Sequence, residues 1–219
     1  MKLPVEKFEA LGRLPWARHA FLCRAPGLDV RTDRAEALAR LDAHHAAARE
    51  ELGFPAGGPM GTARQVHGNR VEALREPVTR EAAETDGLVT NVPGLCLGIY
   101  VADCCAVYLA DPVKRAIGLL HSGKKGTELG IAARAVETMA REYGSRPGDL
   151  VAQLSPCIRP PHYEVDFAAE IARQLRETGV NSVSDCGENT GADLVRYYSY
   201  RMEKGRTGRL LALLMIEGA

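Results

Sequence analysis

The sequence has no apolar stretch near the length of roughly 20 residues that a membrane-spanning helix needs. Residues 1–7 also lack the uninterrupted apolar segment of a secretory signal. We therefore predict a cytoplasmic protein that does not bind membranes. In a reducing compartment its six cysteines should be free thiols, and the absence of a C-x-x-C pair argues against a zinc knuckle or a thioredoxin-type motif.

The sequence also has no excess of either charge, because 28 lysines and arginines balance 28 aspartates and glutamates. No basic bias indicates nucleic acid binding, and no acidic tract indicates a disordered tail. Hydrophobic residues make up 46% of the chain, and a chain of this length should bury about 70% of its unfolded surface. Since repeats and low-complexity linkers are also missing, we predict one domain over residues 1–219.

Helical spacing of apolar residues predicts three helices. The first begins after the N-cap Asp33 and ends at Gly53, and the third covers about 167–178 between Asp166 and Gly179. The second covers 128–143 and has one predicted apolar face, formed by Leu129, Ala132, Val136, Met139 and Tyr143.

Short apolar runs predict the strands of the fold. They lie at 88–90, 95–101, 107–110, 116–120, 150–154, 196–201 and 210–216. The run 95–101 is apolar almost throughout, as expected for a strand covered on both faces. Strands and helices alternate without a regular βαβ rhythm, so we predict an α/β (α+β) fold: a mixed β-sheet sandwich with flanking helices.

Three potential metal ligands lie at the ends of strands or in loops. Cys104 follows the apolar strand 95–101, His121 follows the strand 116–120, and His67 lies in a loop. Two imidazoles and one thiolate form a normal zinc set that leaves a fourth position open. Each residue alone is more often an ordinary surface or buried side chain, and Cys105 is chemically as good a candidate as Cys104.

Six motifs in this order resemble the laccase-domain (polyphenol oxidase-like) family. They are Gln65-Val66-His67-Gly68, Thr85-Asp86-Gly87-Leu88-Val89-Thr90, Ala102-Asp103-Cys104, His121-Ser122-Gly123-Lys124-Lys125-Gly126-Thr127, Ser155-Pro156-Cys157-Ile158 with Tyr163-Glu164-Val165, and Tyr198-Ser199-Tyr200-Arg201 with Thr207-Gly208-Arg209. The family includes the peptidoglycan editing factor and purine nucleoside phosphorylase/adenosine deaminase proteins. The resemblance implies that His67, Cys104 and His121 bind zinc as the catalytic site, and it selects Cys104 over Cys105.

Besides lacking the family's Asn-Leu-Gly and Asn-Arg pattern before residue 60, the chain departs from this family in one loop and one region. The family usually has His-Ala-Gly-Trp-Arg-Gly where this chain has His121-Ser122-Gly123-Lys124-Lys125-Gly126. An aromatic side chain is therefore lost, and Lys125 replaces an arginine, whose planar guanidinium binds anions differently from a lysine ammonium. The stretch between Tyr163 and Tyr198 is also shorter than typical. Both changes concern the substrate pocket more than the metal ligands.

The resemblance implies a zinc enzyme that acts on small molecules, by phosphorolysis of purine nucleosides or deamination of adenosine. We expect Lys125, Gly126 and Thr127 to bind phosphate, because a helix begins in this loop; a solvated helix start is the alternative. Asp103 could orient a metal ligand or cap a turn, and Arg201 could bind substrate or form a structural ion pair, of which the structural role is favoured. The other functional hypotheses are amidase-type editing of a cell-wall precursor, copper-dependent oxidation and binding without catalysis. Copper is disfavoured because no methionine lies close in sequence to Cys104 or His121.

Overall fold

The structure is a computed structural model that describes residues 4–55, 57–77 and 79–218, so both ends of the predicted domain 1–219 lie outside the described residues. These ranges contain twelve strands and five α-helices. The strands are β1 (Val5–Glu6), β2 (Ala17–Leu22), β3 (Met60–Ala63), β4 (Val71–Leu74), β5 (Arg80–Ala82), β6 (Gly87–Thr90), β7 (Cys96–Val101), β8 (Cys105–Asp111), β9 (Ala116–Ser122), β10 (Val151–Leu154), β11 (Ser182–Asp185) and β12 (Leu210–Ile216). The helices are α1 (Glu9–Gly12), α2 (Arg34–Glu51), α3 (Lys124–Glu128), α4 (Ile131–Tyr143) and α5 (Phe167–Glu177).

The strands form two six-stranded sheets, each of which mixes parallel and antiparallel pairs. Sheet A has the order β1-β2-β12-β7-β3-β5, and sheet B has the order β11-β10-β8-β9-β6-β4. In sheet A the pairs of β3 are parallel, and in sheet B the pairs β4–β6 and β10–β11 are parallel. The predicted α+β fold with mixed sheets and flanking helices is confirmed.

The two sheets pack face to face on one apolar core. In β12, Leu210, Ala212, Leu214 and Ile216 contribute to this core, whereas Leu211, Leu213 and Met215 face the opposite side, towards α2. This alternation follows from the period of two in a strand. The buried Tyr108 of sheet B donates a hydrogen bond of 2.8 Å to the carbonyl of Ala20 in sheet A, so the two sheets are also joined by a polar contact.

The longer helices lie on the outer faces of the sheets. A second apolar cluster joins α4 and α5 to sheet B through Val136, Met139, Ile171 and Leu175. On sheet A, the ring of His45 in α2 lies 5.8 Å from that of Tyr100 in β7. Within the described ranges, no helix combines the length and the apolarity that a membrane crossing requires.

The cap residues set the ends of α2 as predicted. The Asp33 carboxylate accepts hydrogen bonds from the backbone N–H groups of Ala35 and Glu36, and Gly53 takes a left-handed conformation with φ +78° just beyond the helix. The third helix also begins and ends as predicted, with Asp166 as its N-cap.

Two predicted elements are wrong in part. Gly130, with φ +73°, separates α3 from α4, so Leu129 is not on the apolar face and is 47% exposed. Residues 196–201 form turns and irregular backbone instead of a strand, because backbone N–H groups here bond to a residue nearby in sequence: Tyr197 donates to the carbonyl of Asp193 at 2.9 Å and Arg196 to its carboxylate at 3.0 Å.

Candidate metal centre

The strand pair β8–β9 brings Cys104 and His121 to the same side. In its register Ala106 lies opposite His121, and Cys105 lies opposite Ser122. Because side chains alternate along a strand, His121 faces the inter-sheet core together with Ile117 and Leu119, which are core residues. Cys104 packs against the same core, whereas Cys105 belongs to the cluster under α4 and α5. The strand period therefore distinguishes the two neighbouring cysteines.

His67 comes from the connection between β3 of sheet A and β4 of sheet B. Its backbone is left-handed, with φ +60°, a conformation that non-glycine residues rarely adopt. The buried carboxylate of Asp86 accepts hydrogen bonds from three successive backbone N–H groups, those of Val66 (3.1 Å), His67 (2.9 Å) and Gly68 (2.8 Å). These bonds hold the loop in the conformation that directs His67 towards β9.

The three predicted ligands converge. One ligand atom from each of His67, Cys104 and His121 lies within 4.8 Å of the other two. The point equidistant from three atoms at this separation lies about 2.8 Å from each of them. Zinc–nitrogen and zinc–sulfur bonds are only slightly shorter, at roughly 2.0–2.3 Å. His121 is buried, Cys104 is half-buried and His67 is exposed, so the group is open to solvent on one side.

Asp86 also holds the ring of His121. Its Oδ1 lies 2.8 Å from Nδ1 of His121, and the backbone N–H of His121 donates to the Asp86 carbonyl at 2.7 Å. A carboxylate at Nδ1 orients the ring so that the other nitrogen faces Cys104, an arrangement found at many metal-binding histidines. Asp86 lies in the motif Thr85-Asp86-Gly87, but no local pattern in the sequence assigns it a role.

The electrostatics of the group favour an ionised thiol. Burial acts to raise the pKa of the Cys104 thiol, but the charge of His121 and hydrogen bonds from His121 and His67 outweigh it and lower that pKa to about 6. Burial acts to lower the pKa of His121, but the thiolate of Cys104 and the carboxylate of Asp86 raise it to about 9. Near neutral pH Cys104 is therefore a thiolate, the form that binds metals.

Two glycines make room for this arrangement. A Cβ at Gly123 would lie 2.5 Å from Sγ of Cys104, a separation that forces the thiol to move. A Cβ at Gly126 would lie 3.2 Å from the carbonyl of Gly68, in the loop that carries His67. The glycines after His121 thus allow close approach of the three segments.

The predicted phosphate-binding residues occupy two environments. Lys125 and its neighbour Lys124 are exposed and line the same cleft as the three predicted ligands. Gly126 and Thr127 are buried below it, and the Thr127 hydroxyl lies 2.9 Å from the Ser122 hydroxyl and donates to the carbonyl of Gly123. The lysines can reach an anion in the cleft, whereas the Thr127 hydroxyl is occupied within α3.

Asp103 connects the ligand loop to the C-terminal segment. Its carboxylate accepts hydrogen bonds from the Thr190 hydroxyl at 2.8 Å and from the backbone N–H of Arg201 at 2.7 Å. Its left-handed backbone, with φ +81°, is thereby fixed next to Cys104. The Arg201 guanidinium pairs with Glu164 at 2.6 Å and lies over the ring of Tyr163. Both residues thus have structural contacts beside the site.

The three predicted ligands lie in a cleft of about 1060 Å³. Its lining contains more cationic than anionic side chains. The cations are Arg34, Lys124, Lys125, Arg201, Lys204 and Arg209, and the carboxylates are Asp103 and Glu128. A cleft of this composition attracts anionic ligands.

A model of the family described as multi-copper polyphenol oxidoreductase laccase matches residues 25–170 and 165–217 of the chain. The chain belongs to this laccase family. Among its relatives is a purine nucleoside phosphorylase of Deinococcus radiodurans, which is 34% identical and aligns with 90% of this chain and 88% of its own length. Another, a purine nucleoside phosphorylase of Mycobacterium tuberculosis, is 32% identical and aligns with 82% of this chain and 80% of its own length.

Solved structures share the fold of this laccase-family chain. The hypothetical protein YfiH of Bacillus licheniformis superposes with a TM-score of 0.84 at 20% identity, over 99% of this chain and 97% of that protein. YlmD of Geobacillus stearothermophilus gives a TM-score of 0.78 at 21% identity, over 99% and 100%. The two-sheet architecture is therefore common to these proteins.

Proposed function

We propose that the chain is a zinc-dependent enzyme that acts on purine nucleosides, by phosphorolysis, by deamination of adenosine, or by both. The relatives named purine nucleoside phosphorylase support the substrate class. The observation that carries the proposal is the convergence of His67, Cys104 and His121 at the base of a cation-lined cleft.

The donor set fits zinc. Two imidazoles and a thiolate are ligands that zinc accepts, and with Asp86 at Nδ1 the other ring nitrogen of His121 would be the zinc ligand, its proton being displaced on binding. Zinc with an open position acts as a Lewis acid and lowers the pKa of a water that it binds to about 7. The protein itself would hold the three ligands in place, and its carboxylate at Asp86 would stabilise positive charge on the His121 ring.

The lysines at the cleft support a reaction with phosphate. Lys124 and Lys125 lie in the segment that directly follows His121, on the exposed side of α3. Their charges would attract orthophosphate and hold it close to the ligands as the nucleophile of phosphorolysis. Deamination needs no phosphate, so the dependence of turnover on phosphate distinguishes the two reactions.

Copper-dependent oxidation is the second candidate, because the matching family is described as a multi-copper polyphenol oxidoreductase laccase. A thiolate with two imidazoles suits a blue-copper centre, in which a methionine is the usual weak axial ligand. The described residues that line the cleft include no methionine, so this centre would need another axial group. Zinc therefore fits the surroundings better.

The proposal is tested by turnover of inosine and adenosine in the presence and absence of phosphate. We expect phosphate-dependent release of the purine base, or of ammonia from adenosine, and loss of either activity in His67→Ala and Cys104→Ala. Cys186→Ala is the matched control, since Cys186 is a half-buried free thiol away from the ligand group. Unchanged turnover in Cys104→Ala, or turnover only of phenols or of an amide substrate, would refute the proposal.

A further inference from the structure

A buried arginine lies beside the ligand loop. Arg209 directly precedes β12, whose first residue Leu210 pairs with Val101 of β7, so Arg209 lies next to the segment 102–104. Alternation along β12 puts Arg209 on the same face as Leu211, which is the face of sheet A covered by α2. The guanidinium lines the cleft although the residue is only 9% exposed.

The charge of Arg209 has no carboxylate partner among the described residues. Its Nη1 donates to the carbonyls of Thr207 and Gly208, each at 2.9 Å, and these are neutral groups. The nearby carboxylate of Asp103 already accepts from Thr190 and from the backbone of Arg201. A buried charge that is not paired with an opposite charge is unfavourable.

A second arginine adds to the same positive potential. Arg34 is the first residue of α2 and is exposed at the cleft, where it forms no ion pair in the described part of the chain. Burial, and then the charge of Arg34, lower the pKa of Arg209, and the opposing influence of Tyr200, Cys104 and Asp103 offsets only part of this lowering. A bound anion would offset the repulsion between the two guanidinium groups, which match phosphate through paired N–H donors.

We propose that Arg34 and Arg209 form a subsite for a dianionic phosphoryl group, separate from Lys124 and Lys125. This inference rests on the proposed function. It states that the purine substrate itself carries the phosphoryl group, as in a nucleoside 5′-monophosphate. The lysines would then hold orthophosphate, and the arginines would hold the substrate. Free orthophosphate is the other ligand that would present a phosphoryl group to the two arginines.

The test is calorimetric titration of the full chain, at fixed ionic strength, with adenosine 5′-monophosphate, adenosine and orthophosphate. We expect the wild-type chain to bind the monophosphate at least about tenfold more tightly than adenosine, because charge-assisted hydrogen bonds contribute on this scale. Arg209→Gln and Arg34→Gln should each weaken the monophosphate about tenfold and leave adenosine unchanged. Arg206→Gln, an exposed arginine of the same segment outside the cleft, removes an equal charge and should change neither.

Arg34→Gln keeps the test valid if Arg209→Gln does not fold, since Arg34 is exposed and its side chain supports no other residue through a described hydrogen bond. Weakening of orthophosphate alone supports the subsite and identifies free phosphate as its ligand. Equal affinities of the wild type and Arg34→Gln for both phosphate ligands overturn the inference. Binding is measured without turnover, so an inactive protein that binds as expected contradicts only the proposed function.

Discussion

The carboxylate of Asp86 lies 2.8 Å from Nδ1 of His121 and also accepts the backbone N–H of His67 at 2.9 Å. One buried side chain thus orients a histidine on β9 and the loop that carries the other histidine. These contacts make Asp86 a positioning residue for two of the three proposed ligands.

Replacing Asp86 with asparagine should weaken zinc binding by about 10–100-fold, the usual effect of losing a carboxylate behind a metal-binding histidine. Competition with a chromogenic chelator measures the affinity. The matched control is Asp111→Asn, because Asp111 is also fully buried and accepts two backbone N–H groups, those of Val113 and Lys114, in a turn remote from the ligands. Equal zinc affinities of the two variants would contradict the assigned role.

Gly123→Ala should impair metal binding while leaving the fold intact. The added Cβ would lie 2.5 Å from Sγ of Cys104, so the thiol has to move from its position between the histidines. Zinc affinity and turnover should both fall, and the circular dichroism spectrum should remain that of the wild type. Gly12→Ala is the control because a Cβ at Gly12 meets nothing within 4 Å. Wild-type zinc affinity in Gly123→Ala would show that the close approach is unimportant.

Lys125→Gln should raise the KM for orthophosphate several-fold and change the KM for the nucleoside little. The reason is that Lys125 lines the cleft, and its charge would attract the phosphate anion. Lys114→Gln removes the same charge from a turn that does not line the cleft and serves as the control. A phosphate KM that responds equally to both variants would indicate only a long-range charge effect.

The stability of the protein should decrease as the pH falls from 6.5 towards 4. Burial, and then the charge of Lys7, lower the pKa of His19 to about 4, and its Nε2 accepts the backbone N–H of Phe8 at 2.8 Å. Between these pH values the unfolded chain binds a proton that the folded chain does not, which removes on the order of 3 kcal/mol of stability.

Urea unfolding at several pH values measures this loss. His19→Gln can still accept from Phe8 but does not titrate, so its stability should depend less on pH over this range. Since burial also lowers the pKa of His45 to about 4, part of the pH dependence should remain in the variant. A slope identical to that of the wild type would exclude His19 as a source.

The sequence predicts the helices and strands whose formation depends on interactions between residues that are close in sequence. Asp33 and Gly53 mark α2 because capping involves only neighbouring residues. The apolar runs of β7 and β9 are recognisable because both faces of each strand are covered. By contrast, β3 and β5 are short and lie at one end of sheet A, and they show no apolar period that would predict them.

The sequence predicts three residues that the structure brings together, but not the side chains that hold them. His67, Cys104 and His121 were selected by resemblance to family motifs, and strand alternation explains why Cys104 and His121 face the same side. The function of Asp86 depends on contacts with residues that are distant in sequence, so no local pattern reveals it. The buried position of Arg209 depends in the same way on the pairing of β12 with β7.

The central claim is that His67, Cys104 and His121 bind one zinc ion. Mass spectrometry of the metals in protein purified without added metal tests it most directly. We predict one equivalent of zinc per chain in the wild type and in Cys186→Ser, and none in Cys104→Ser. Copper in place of zinc, or zinc retained by Cys104→Ser at the wild-type level, would contradict the claim.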